Sequence, residues 1–210
     1  FSPRISILIS AVFVEAHTII TYPGWRGNNL GANGSIADTN GLGVGDTGGA
    51  LVYPYGMQWI YPCGGLPISQ NRTKWPVTGG AIAVSPGMSA GHSTALIYIN
   101  LGVGSTPGNY SMQMGYSPFE IAGPSDNGYN GHFCLPQIPL PAGSYTPSVG
   151  DEATIQVVEA AKHGAALYSC VDIVFADAAD VAEINQTNCF NSTDPDTRVE
   201  FGFINSSLDS

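Results

Sequence analysis

Residues 94–101 read TALIYINL, and this short apolar run is the clearest sign of how the chain folds. Other runs of the same kind are short, rich in β-branched residues, and bounded by Gly, Pro, Asn or Asp. They are residues 81–84 (AIAV), 119–121 (FEI), 153–158 (ATIQVV) and 167–175 (LYSCVDIVF). Short runs separated by turn residues are typical of antiparallel strands. The sequence therefore predicts an all-β protein built as an antiparallel β-sandwich.

Three stretches do not follow the strand pattern. Residues 27–50 (GNNLGANGSIADTNGLGVGDTGGA) are rich in Gly and Asn without apolar periodicity, which predicts a long surface loop. Residues 178–184, within DAADVAEI, are the one plausible short helix. From Ser192 onward the chain is polar and acidic, and we expect a loosely held tail there.

Composition and charge exclude several classes of protein. Of the 210 residues, 43% are hydrophobic and only 10% charged, which is the opposite of a disordered chain. Six Lys and Arg stand against sixteen Asp and Glu, giving a net charge of −10. Nucleic acids and anionic membrane surfaces require a basic patch, so neither is an expected partner.

The N-terminal segment has the pattern of a secretory signal peptide. Arg4 is the only charge before an apolar run over residues 5–13, and Val14 and Ala16 are small residues at the −3 and −1 positions of a cleavage site. The run is too short to span a bilayer as a helix. The alternative is a buried N-terminal strand. We predict a signal peptide over 1–16, a β-sandwich domain over 17–192 and an acidic tail over 193–210.

Glycosylation signals and cysteines also indicate an exported, oxidised protein. The four cysteines lack the C-x-x-C spacing of a zinc site, so two disulfides are expected, with three pairings open. Six Asn-X-Ser/Thr sequons predict a glycosylated surface. They lie at Asn33, Asn71, Asn109, Asn185, Asn191 and Asn205. We therefore expect a secreted or cell-surface protein, and a lipid anchor beyond this sequence is left open.

Cleavage after Ala16 would make His17 the new N-terminus. A terminal histidine offers its α-amine and its ring Nδ1 to one metal ion, and a third nitrogen from a second histidine would complete a planar set suited to Cu(II). The candidates for the second ligand are His92, His132 and His163. His92 is favoured because it lies at the mouth of the strongest strand. The other two are interpreted as surface or structural histidines.

Asp172 is unusual within its predicted strand. With a period of two, it shares a face with Tyr168 and Cys170, which are expected to be at least partly buried. A buried carboxylate needs a partner. That partner is either a metal ion or one of the few arginines that follow the cleavage site, namely Arg26, Arg72 and Arg198. Both interpretations stay open at this point.

Several short motifs together resemble the fungal copper proteins related to lytic polysaccharide monooxygenases, a family that includes a copper-acquisition factor. Besides the histidine after the signal, they are YPGWRG at 22–27, YPCGG at 61–65 before NRT at 71–73, GH at 91–92, FCLP at 133–136 and LYSCVD at 167–172. The resemblance covers residues 17–192. It implies an immunoglobulin-like β-sandwich that holds copper in a histidine brace.

The resemblance also implies particular site residues. The copper ligands would be His17 by amine and ring, His92 by its ring, and Asp172 where oxidative relatives place an axial tyrosine. An anionic fourth ligand favours Cu(II) over Cu(I) and argues against polysaccharide cleavage. By analogy with the monooxygenases, the disulfides would join Cys63 to Cys170, which leaves Cys134 to pair with Cys189.

These expectations favour a secreted or cell-surface Cu(II)-binding protein that serves copper acquisition or fungal surface biology. The first alternative is a copper-dependent lytic polysaccharide monooxygenase, and the second is a structural cell-wall glycoprotein without metal. The expected partners are the copper ion and either cell-wall components or a membrane copper transporter. We expect a monomer.

Overall fold

The computed structural model describes residues 18–27, 45–47, 50–52, 57–87, 92, 94–115, 118–122, 131–143, 145–162, 164–193 and 198–200. Several sequence predictions fall outside these residues. They are the signal peptide over 1–16, the ligand His17, His163, and the sequons at Asn33 and Asn205.

Strands make up nearly all the regular structure of the described residues. They are β1 (Ile19–Tyr22), β2 (Gly45–Thr47), β3 (Ala50–Val52), β4 (Thr73–Pro76), β5 (Gly80–Ser85), β6 (Ala95–Val103), β7 (Met112–Gln113), β8 (Phe119–Ala122), β9 (Phe133–Ile138), β10 (Glu152–Ala161), β11 (Ala166–Ala176) and β12 (Arg198–Glu200). Within the same residues, no helix is long and apolar enough to cross a membrane.

Two sheets pack face to face. One has three antiparallel strands in the order β1-β5-β9. The other has seven strands, in the order β12-β8-β6-β10-β11-β4 with β7 beside β6. Its pairs are antiparallel except that β4 runs parallel to β11. Strands β2 and β3 form a separate antiparallel pair. The prediction of an all-β sandwich is confirmed.

The core lies between the two sheets. Along β10, alternate residues such as Ile155 and Val157 are fully buried and face it, as a period of two requires. Phe119 of the larger sheet meets Phe133 of the smaller one edge to face, with ring centroids 5.5 Å apart. This geometry suits the positive edge and negative face of aromatic rings, so the pair helps to hold the sheets together.

Each of the five apolar runs forms a strand, but the sequence pattern missed others. Strands β4 and β9 carry Pro76 and Pro136, which weakened their pattern. Each of these strands lies at the edge of its sheet. Proline is tolerated at an edge because its missing N–H faces away from the ladder.

Three predictions about irregular segments were wrong in part. The expected loop over 27–50 contains β2 and the first residue of β3. The expected helix over 178–184 is only a 3-10 turn, Ala178–Asp180, which has no side-chain cap and no buried residue to stabilise it. The expected tail contributes β12, whose backbone pairs with β8 at the edge of the larger sheet.

Both disulfide pairings implied by the resemblance are confirmed. Cys63 is bonded to Cys170, with Cα atoms 5.3 Å apart, and this bond ties the segment over 57–65 to β11. Cys134 is bonded to Cys189, with Cα atoms 5.1 Å apart, and ties the C-terminal segment to β9. The sequon asparagines within the described residues are exposed, which fits the predicted glycosylation without testing it. They are Asn71, Asn109, Asn185 and Asn191.

Gly102 of β6 allows close packing on the outer face of the larger sheet. A Cβ atom there would lie 2.6 Å from Cβ of Pro107 and 2.9 Å from the Tyr110 ring. We expect Gly102→Ala to lower the free energy of unfolding by about 1–3 kcal/mol, because overpacking forces neighbours to shift. Gly108→Ala is the matched control, since its Cβ would meet nothing within 4 Å. Equal denaturation midpoints for the two variants would contradict this account.

Candidate metal centre

The elements that carry His92 and Thr18 come together at one end of the sandwich. Thr18 immediately precedes β1, and His92 lies three residues before β6 begins. The end of β10 reaches the same place, because Ala161 pairs with Ala95 at the start of β6. Glu159, two residues before the end of β10, lies on the face that also carries Val157 and therefore points between the sheets.

The Glu159 carboxylate joins Thr18 to His92. Its Oε1 lies 2.5 Å from Nδ1 of the His92 ring. Its other oxygen, Oε2, accepts a hydrogen bond from the Thr18 hydroxyl. All three side chains are fully buried. A buried carboxylate is costly without partners. Each oxygen of Glu159 has one, and the carboxylate in turn holds the His92 ring and the Thr18 hydroxyl in place.

Gln58 holds the backbone of Thr18. The Thr18 N–H donates to Oε1 of Gln58 over 2.8 Å, and Nε2 of Gln58 donates to the Thr18 carbonyl over 2.7 Å. The Gln58 carbonyl in turn accepts the N–H of Tyr168 in β11 over 2.7 Å. One amide side chain thus satisfies the backbone of Thr18 as a neighbouring strand would.

His17 itself lies outside the described residues. It is joined to Thr18 by one peptide bond, which separates consecutive Cα atoms by about 3.8 Å. Thr18, the residue that follows His17, contacts the same Glu159 carboxylate as His92. Among the described residues, no three His, Cys, Asp or Glu side chains gather as a metal site.

The donor chemistry at His92 fits a metal that prefers nitrogen. Because a carboxylate can only accept, Nδ1 carries the proton in its contact with Glu159, and Nε2 is the ring nitrogen that could bind a metal ion. A carboxylate on the other ring nitrogen is the usual outer partner of a metal-binding histidine. His92 thus has an outer partner of the kind that metal-binding histidines commonly have.

Asp172 lies in a different network. Arg26 donates to both of its oxygens, from Nε over 2.8 Å and from Nη2 over 2.7 Å. The Ser69 N–H donates over 2.8 Å and the Thr154 hydroxyl over 2.6 Å. The Arg26 and Asp172 side chains are 3% and 0% exposed. Four donors leave the carboxylate fully satisfied.

Strand register separates Asp172 from His92. Asp172 pairs with Thr154 in β10, whereas Glu159, which contacts His92, lies five residues further along that strand. At about 3.3 Å per residue, Thr154 and Glu159 lie roughly 17 Å apart along the strand. The side chains of Asp172 and Glu159 project from opposite faces of the sheet. The structure therefore describes Asp172 in a network apart from His92, and its role as a copper ligand stays a prediction. The alternative, an arginine partner, is what the structure shows.

His132 helps to anchor the C-terminal segment. Its ring packs against Phe190 with centroids 5.1 Å apart. The backbone N–H of His132 donates to the Ser192 hydroxyl over 2.9 Å, and its backbone carbonyl accepts the Ser192 N–H over 2.8 Å. This agrees with its interpretation as a structural histidine.

Sequence reasoning missed Glu159, Gln58 and Thr18. A signal was available for Glu159, because it follows Ile155 and Val157 at a period of two and so falls on the core face of a strand. No local pattern marked Gln58 or Thr18, whose contacts join residues forty positions apart.

Comparison with known proteins identifies the family of this chain. The family described as copper acquisition factor BIM1-like matches residues 15–194. A lytic polysaccharide monooxygenase-like protein X325 of Aspergillus fumigatus is 58% identical over 186 residues, covering 89% of this chain and 77% of that protein. A lytic polysaccharide monooxygenase-like protein ham-7 of Neurospora crassa is 55% identical over 194 residues, covering 89% and 76%. The chain belongs to the family described as copper acquisition factor BIM1-like.

Proposed function

We propose that this protein is a secreted or cell-surface Cu(II)-binding protein with a histidine brace. The ligands are the α-amine and ring of His17 and Nε2 of His92. The observation that supports the proposal best is the Glu159 carboxylate, which bonds both His92 and the residue that follows His17. Three nitrogen donors suit Cu(II), which stands at the top of the affinity series of divalent first-row metals.

The proposed role is copper acquisition or fungal surface biology, with the ion as cargo. Its support is the family description, which names copper acquisition. Export through a signal peptide over 1–16 would place the site where extracellular copper is met, and would form the free amine of His17. Cell-wall components or a membrane copper transporter are the proposed partners of a monomeric, glycosylated protein.

Polysaccharide oxidation is kept as a second candidate because of Asp172. The sequence argument against oxidation relied on this carboxylate as an anionic fourth ligand. Its four hydrogen bonds belong instead to Arg26, Ser69 and Thr154. These hydrogen bonds favour a structural role for Asp172 over a role as copper ligand, and relatives that carry the name monooxygenase-like match most of the chain.

Three measurements test the proposed function. Mass spectrometry of the secreted protein is expected to find His17 as the first residue, and titration is expected to find one tightly bound Cu(II). The copper-loaded protein is then incubated with a reductant and chitin, cellulose or β-glucan. Oxidised oligosaccharides would establish the second candidate, and absence of copper binding would refute both in favour of a structural glycoprotein.

His92→Ala is expected to weaken Cu(II) binding by about 100-fold and to change the Cu(II) EPR spectrum. The change removes one of three nitrogen ligands, and a 100-fold loss corresponds to about 2.7 kcal/mol. His132→Ala is the matched control, because its ring packs on Phe190 and its hydrogen bonds to Ser192 use backbone atoms. Equal spectra for His92→Ala and the wild-type protein would remove His92 from the site.

A further inference from the structure

The buried polar residues near His92 form one continuous network. Its members are Thr18, Gln58, His92 and Glu159, and each is 0% exposed. Thr18 makes three hydrogen bonds. Its N–H donates to the Gln58 side chain, its carbonyl accepts from the same side chain, and its hydroxyl donates to Glu159. Chain termini usually fray unless they are tied down. Here the residue after the proposed N-terminus is held on every polar group that it has.

The network is anchored to the rest of the fold on both sides. Glu159 is fixed by β10, which pairs with β6 on one side and β11 on the other. Gln58 is fixed by its carbonyl bond to Tyr168, and the Cys63–Cys170 disulfide ties the same segment to β11. The contacts to Thr18 therefore come from a rigid frame.

We infer that Gln58 and Glu159 are positioning residues that set the proposed copper ligands in place before the ion arrives. This inference rests on the proposed function. Gln58 fixes the backbone of Thr18, the residue that follows His17, and Glu159 holds Nδ1 of His92, so that Nε2 is the ring nitrogen proposed to bind copper. A site ordered in advance avoids the entropy cost of ordering its ligands when the ion binds.

The metal-free protein gives the first test, by hydrogen exchange. The Thr18 amide is expected to be strongly protected in the wild-type protein, although it lies near the chain end. Gln58→Met, which keeps the side-chain length but cannot accept this hydrogen bond, is expected to speed its exchange while the β10–β11 amides stay protected. Rapid exchange of the Thr18 amide in the wild-type protein would overturn the inference.

Copper binding gives the second test. Glu159→Gln and Gln58→Met are each expected to weaken Cu(II) binding by about 10- to 100-fold, which is typical for outer partners of metal ligands. Their EPR spectra are expected to contain more than one Cu(II) species, because the ligands are no longer held in one geometry. Thr154→Val is the matched control. It removes a buried hydrogen bond from the same strand, on the Asp172 side, and is expected to keep wild-type affinity and spectrum.

The possible failures can be told apart. If the wild-type protein binds Cu(II) and both variants match its affinity and spectrum, the positioning role is refuted and the proposed function stands. If the wild-type protein binds no Cu(II), the proposed function fails and this inference with it, which the wild-type titration alone reveals.

Discussion

A form of the protein that keeps one extra residue before His17 is expected to bind Cu(II) about 1,000-fold more weakly than the form that begins at His17. The extra peptide bond turns the α-amine into an amide and destroys the chelate that amine and ring would form on one ion. If the amine donor and the chelate ring each contribute about 2 kcal/mol, their loss corresponds to roughly that factor. Isothermal titration of the two forms measures it directly.

The comparison has an internal control in Thr18. Its N–H, carbonyl and hydroxyl are bound by Gln58 and Glu159, and an added residue before His17 changes none of these groups. Thermal unfolding of the two metal-free forms is therefore expected to coincide. Equal copper affinity in both forms would refute the histidine brace and leave His92 without its proposed partner.

The fold was largely predictable because its main strands are short apolar runs that are bounded by turn residues. Residues 153–158 and 167–175 pair in β10 and β11 as a short-strand pattern suggests. The strands that were missed lack that pattern for a physical reason. Strand β9 contains Pro136. Proline in a sequence usually indicates the end of a strand, but the edge position of β9 tolerates it.

The candidate site was only half predictable. His92 was identified from its position before a strong strand, and the structure joins it through Glu159 to the residue that follows His17 in the chain. The sequence could not choose between a metal ion and an arginine as the partner of Asp172, because periodicity gives the face of a strand but not what covers it. Arg26 reaches Asp172 across 146 positions of the chain, a contact that no local pattern reports.

Asp172→Asn is expected to lower the free energy of unfolding by about 3–5 kcal/mol, and to leave copper affinity and the Cu(II) EPR spectrum unchanged. The loss is large because the guanidinium of Arg26 would be left as an uncompensated buried charge. Glu152→Gln is the matched control. Glu152 pairs with Arg72 at 3.3 Å but is 41% exposed, so its loss is expected to cost less than about 1 kcal/mol.

A double-mutant cycle locates the effect in the ion pair. Arg26→Met alone is expected to destabilise the protein to a similar degree, and the double variant with Asp172→Asn by less than the sum, since each partner is costly only when the other remains. A changed EPR spectrum in Asp172→Asn would instead bring this carboxylate back to the metal and restore the argument against oxidation. An unchanged spectrum leaves Cu(II) with the nitrogen donors of His17 and His92, and the choice between copper acquisition and polysaccharide oxidation then depends on the oligosaccharide assay alone.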